Sequence, residues 1–159
     1  MKYLSTLLFL FLTPFLMEEP PLPEKTYPSS AESWTLLSDH TVATVYNAVE
    51  AQCNGNPLVT ASRYRIDPDK ISELRILAME RTMMAEFSLS YGDIVRVEGA
   101  GAYDGLWQIQ DTMNKRFKGQ HKIDFLVPSS VRTGKWRDVK VYLPGDTLTR
   151  DAARKQLSI

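Results

Sequence analysis

From residue 41 onward, apolar and polar positions alternate in short runs broken by turn residues. Residues 41–49 (TVATVYNAV) are β-branched and aromatic, which suits a strand. Asn54-Gly55-Asn56-Pro57 marks a turn, and residues 58–62 (LVTAS) read as a second strand. After a turn at Ile66-Asp67-Pro68-Asp69, residues 74–79 (LRILAM) read as a strand and 81–87 as a helical turn. Tyr91-Gly92-Asp93 opens a strand at 94–98 (IVRVE). Residues 106–111, 122–127 and 138–143 complete a set of seven short runs. Close spacing with little helix predicts a small closed β-barrel. Residues 144–159 read as a polar tail carrying a short helix over 151–157.

The first 33 residues have a different texture. Lys2 precedes an apolar run over residues 4–17, too short to span a bilayer as a helix and interrupted by Pro14. It fits the h-region of an export signal, with a buried N-terminal helix as the plainer alternative. Residues 18–33 carry four prolines and few large apolar groups, which predicts an extended tether, with the folded part beginning near Trp34–Thr41. The implied organisation is a signal-like segment at 1–17, a Pro-rich tether at 18–40, a barrel at 41–143 and a tail at 144–159. The expected location is outside the cytoplasm, with no membrane span after signal removal.

Composition narrows the function. The chain of 159 residues has 19 Lys+Arg against 19 Asp+Glu, a balance that argues against a generic nucleic-acid binder. A single Cys and two His argue against a closed structural zinc site, and no metal or cofactor is expected. Cys53 has no partner for a disulfide within its own chain. It reads as a small hydrophobe rather than a nucleophile.

Two carboxylates stand out by context. Strict alternation puts Asp111 on one face with Trp107 and Ile109, and Asp124 with Lys122 and Leu126. An Asp within a strand run opposes β-propensity. An edge-strand charge, a turn cap and a catalytic carboxyl all remain open explanations.

The string over residues 91–143 resembles the Asp-Asp-Asp domain of MltA-type lytic transglycosylases and related secreted bacterial proteins. The residues that carry the resemblance are Gly92-Asp93, Tyr103-Asp104-Gly105, Asp111-Thr112-Met113-Asn114, Ile123-Asp124 and Gly134-Lys135-Trp136. Residues 42–62 resemble the start of that domain. The resemblance implies a mainly β fold, a six-stranded double-psi β-barrel with few short helices. It implies action on the glycan strands of peptidoglycan, with Asp124 as the catalytic carboxyl and Asp111 as its partner. The third family Asp has no counterpart in Ala78-Met79-Glu80-Arg81-Thr82, where Glu80 is the candidate replacement. The chain also has no room for the second domain that completes the groove of full MltA-type enzymes.

In such chemistry one carboxyl protonates the leaving oxygen and then takes the proton of the sugar's C6 hydroxyl. Its pKa must be raised, by burial and by a nearby carboxylate, while Lys122 or Lys115 would lower it. Trp107, Tyr103 and Lys115 are candidate glycan contacts; packing and a solvated turn are the plainer roles. Trp136 and Tyr46 are similar cases, and His121 reads as a glycan contact or a solvated loop histidine. Three functions remain: an exported glycan-cleaving enzyme, a non-catalytic wall-binding module, and an exported interaction domain with another ligand.

Overall fold

The computed structural model describes residues 33–53 and 55–157. The apolar run at 1–17 and most of the Pro-rich stretch lie outside the described residues. The strands are β1 (Trp34–Tyr46), β2 (Ile76–Met79), β3 (Ile94–Glu98), β4 (Gly105–Thr112), β5 (Lys122–Leu126) and β6 (Lys135–Pro144). Two helices, α1 (Arg81–Glu86) and α2 (Thr147–Leu157), and short 3-10 turns complete the described chain.

The six strands close into a barrel in the order β1-β5-β2-β4-β3-β6. Pairs β1–β5 and β2–β4 are parallel and the rest antiparallel. Strand β2 lies between the consecutive strands β4 and β5, and β1 lies between β5 and β6. Each is a psi arrangement, so the expected double-psi barrel is what the chain forms.

The inward positions of β1 to β6, among them Ala43, Leu77, Ile109, Ile123 and Val139, are fully buried. Phe125 sits between Trp107, with ring centroids 4.5 Å apart, and Tyr103 at 5.3 Å. A second cluster lies on the barrel's outer face. There Ile66 and Leu74 from the excursion at 47–75 cover Ile76 and Leu126, with Tyr46 and Leu58 packed against them. This is why all four residues of ILAM in β2 are buried.

Four boundaries differ from the pattern-based expectation. Residues 34–40, assigned to the tether, are the first half of β1, paired with β6 from Trp34↔Pro144 to Ser38↔Val141. Residues 58–62 are not a strand; they make one bridge, Val59↔Arg65, around a turn in which Arg63 has φ 69°. The closed barrel offers no free edge for a seventh strand. Strand β6 starts at Lys135, because a bulge with Asp138 at φ 55° lets it continue past the predicted start. The tail is an eleven-residue helix, α2, packed through the buried Thr149 and Ala153. Its start is fixed by Asp146, whose carboxylate accepts from the Thr149 N–H at 2.7 Å. No helix among the described residues is long and apolar enough to cross a membrane.

Candidate functional site

The excursion at 47–75 covers only part of the barrel's outer face. What it leaves open is a groove of about 1100 Å³, floored by strands β4, β2, β5, β1 and β6. Its walls come from residues 50–61 on one side, and from 112–117 and 132–135 on the other.

Strand register sets the floor. Asp111 of β4 pairs with Ala78 of β2, Ala78 with Asp124 of β5, Asp124 with Thr44 of β1, and Thr44 with Lys135 of β6. Residues in register project from the same face. The two aspartates therefore share one row, two strand spacings or about 10 Å apart at the backbone. Between them lies only the methyl group of Ala78, which leaves the floor open.

Strict alternation would have sent Asp111 into the core with Ile109. A bulge prevents this: Ile109 pairs with Leu77 and Asp111 with the next residue, Ala78, leaving Gln110 as the extra residue. The Gln110 carbonyl, freed from the ladder, accepts from the Ser62 N–H at 3.2 Å. The expected company of Asp111 with Trp107 and Ile109 is thus corrected.

The two carboxylates have opposite surroundings. Asp111 is well supplied with donors: Thr112 N–H at 2.8 Å, Ala61 N–H at 3.0 Å and the Tyr46 hydroxyl at 3.4 Å. Burial, followed by the charge of Asp111, raises the Tyr46 pKa strongly, so its hydroxyl stays a donor. Asp124 Oδ1 is buried and has no hydrogen-bond partner among the described residues. Burial pushes the Asp124 pKa up to about 6, against the opposing pull of Lys122 and Arg116. The sequence had suggested a neighbouring carboxylate as a further cause; Asp111 is not among the groups that move it. Thr44 Oγ1, in the same row, and Thr112 Oγ1, on a residue paired with the core-facing Met79, are likewise buried without hydrogen-bond partners among the described residues.

The other candidates lie elsewhere. Glu80 is 2% exposed and caps α1: its carboxylate accepts from the Thr82 N–H at 2.9 Å and the Met83 N–H at 3.0 Å. It does not line the groove. Trp107, 2% exposed, belongs to the barrel core, with its Nε1–H donated to the Tyr103 carbonyl at 2.7 Å. Tyr103 packs over Phe125 and Trp136. Lys115 is exposed on a 3-10 turn whose next two residues, Arg116 and Phe117, do reach the groove. His121 is half-buried and does not line the groove. Its ring bridges Ser38 Oγ and Glu86 Oε2, each at 3.0 Å, and stacks on His40.

Several groove residues were not singled out as site candidates in the sequence: Thr44, Arg81, Arg132 and Lys135 come together only through strand order and loop path. Cys53 also lines the groove; burial raises its thiol pKa, and its Sγ contacts the Asn47 carbonyl oxygen at 3.7 Å. Among the described residues no group of three or more His, Cys, Asp or Glu side chains is placed to hold a metal ion. Compared with known proteins, the chain matches no family model and no curated sequence.

Proposed function

We propose that this protein is an exported, peptidoglycan-active enzyme that cleaves glycan strands by lytic transglycosylation, with Asp124 as acid and then base. The reading rests on one observation: a buried carboxyl oxygen, unpartnered among the described residues, on the floor of a groove of about 1100 Å³. The resemblance of residues 91–143 to the Asp-Asp-Asp domain supports the same assignment. With a pKa of about 6, Asp124 keeps its proton in part of the molecules near neutral pH. The proton passes to the glycosidic oxygen as the C1–O bond breaks. The resulting carboxylate then takes the proton of the C6 hydroxyl as O6 bonds to C1, closing a 1,6-anhydro ring. Asp111, its oxygens held by three donors, shares the groove floor and turns its carboxyl toward the positive charge that develops at C1.

One observation favours a second reading, a wall-binding module without catalysis: the candidate third acid, Glu80, is used up as a helix cap. Mass spectrometry of purified peptidoglycan incubated with the protein separates the two. The enzyme gives anhydro-sugar products, which Asp124→Asn abolishes and Asp111→Asn reduces less. Co-sedimentation with the wall and no products, at any pH from 4 to 8, overturns the catalytic reading and leaves the binding one.

A further inference from the structure

The groove has a charge character that the chain as a whole lacks. Five cations line it, Arg81, Arg116, Lys122, Arg132 and Lys135, against three acids, Glu50, Asp111 and Asp124. The complete sequence is neutral, with 19 basic and 19 acidic residues, so the surplus comes from segregation. None of the five cations forms an ion pair among the described residues; the pairs there join His40 to Asp39, Arg96 to Glu98 and His121 to Glu86. Arg116 and Lys122 instead flank the Phe117 ring, with charged atoms 4.8 and 4.0 Å from its centroid. Grouped cations that outnumber the acids beside them repel one another, and folding gains little from gathering them.

We infer that the groove selects an acidic glycan, an amino-sugar strand bearing carboxylates, over a neutral strand of the same linkage. The inference rests on the glycan reading above and adds what the groove discriminates. Lys135 stands at one end of the row that holds Asp124 and Thr44. Arg81, the first residue of α1, also lines a smaller hollow of about 400 Å³ that shares Thr112 with the groove. Cations therefore stand on more than one side of the acid, where substituents of a threaded strand pass. The two central aspartates oppose a ligand charged at every unit and favour one whose carboxylates are spaced apart. Nucleic acid fits less well, since stacking needs an open aromatic face. Phe117 carries cations over its ring, and Tyr46 packs into the second apolar cluster.

The test compares four soluble probes by calorimetry with the full chain. They are peptide-free peptidoglycan strands with free lactyl carboxylates, the same strands converted to methylamides, a neutral N-acetylglucosamine oligomer of equal length, and a single-stranded oligonucleotide. The acidic strand is expected to bind roughly tenfold more tightly than its methylamide, with the advantage shrinking as salt rises from about 50 to 300 mM. Arg132→Gln combined with Lys135→Gln is expected to remove most of that advantage, read as the ratio of acidic-strand to methylamide affinity; an undiminished ratio overturns the charge inference. Equal affinity for acidic and methylamide strands overturns the charge inference and leaves the glycan reading standing. Binding of the oligonucleotide alone overturns both.

Discussion

Asp124 concentrates the site's chemistry at the scale of one residue, and its titration gives a signed prediction. An unfolded Asp titrates near 3.9. The folded carboxyl holds its proton up to about 6. Between those values the folded state binds more protons, so stability falls as pH rises through the window. Above it, the buried ionised carboxylate costs roughly 2–3 kcal/mol. Asp124→Asn is therefore expected to raise the thermal midpoint at pH 7.5 and to change it little at pH 4. A midpoint shift of the same size at both values would remove burial as the cause. The same proton supplies the acid, so cleavage should slow as pH climbs past about 6, a trend visible in initial rates. Asp111 differs in its company: two backbone N–H groups and a tyrosine hydroxyl hold its oxygens.

At the scale of elements, α1 and the β4 bulge decide which acids reach the groove. Helix α1 spans only six residues, and its first turn depends on the Glu80 carboxylate, which satisfies two N–H groups inside the fold. Glu80→Ala should destabilise the protein by about 1–2 kcal/mol in chemical denaturation. Glu80→Asp, which keeps an oxygen at the cap, should lose less, and at temperatures where it is folded should cleave glycan at the wild-type rate. A specific loss of turnover in the Asp variant, with stability intact, would return Glu80 to the acid set. Local pattern revealed the helical turn, because Met83 and its neighbours follow a strand ending at Met79. It did not reveal the cap, since Glu stands outside the usual capping residues. The β4 bulge was invisible for a related reason. Nothing in LWQIQD marks Gln110 as the extra residue; the pairing with β2 and the Ser62 contact do.

For the whole molecule, closure of the barrel is the decisive step. The first half of β1 supplies the seam with β6, and Ser33 adds an N–H bond of 3.1 Å to Thr149 Oγ1 in α2. A chain starting at residue 41 loses the pairs from Trp34↔Pro144 to Ser38↔Val141 and exposes an unpaired edge on β6. It should unfold without a cooperative transition in urea, whereas a chain starting at residue 33 should match the full-length protein. Equal stability of the two would show that the seam contributes nothing. Residues 34–40 (WTLLSDH) hid this role because Ser38, Asp39 and His40 break the apolar alternation. The bulges between β1 and β6 accommodate them, and Ser38 and His40 serve the His121 cluster.

The sequence by itself determined that the chain forms a small β-barrel and where most of its strands run, and it singled out two aspartates. Both are local properties: β-branched alternation reports which residues can sit half-buried on a pleated strand. A carboxylate breaking that alternation is visible without knowing its neighbours. The tertiary structure alone decided which carboxyl is held and which is orphaned, and which candidates belong to the core. Trp107 and Tyr103 read alike as sugar contacts or packing, until barrel closure placed them around Phe125. Arg81, Arg132 and Lys135 lie far apart in the chain and share a groove because non-consecutive strands pair. Long-range pairing and burial set charge state and company, and neither is written in the spacing of residues along one strand.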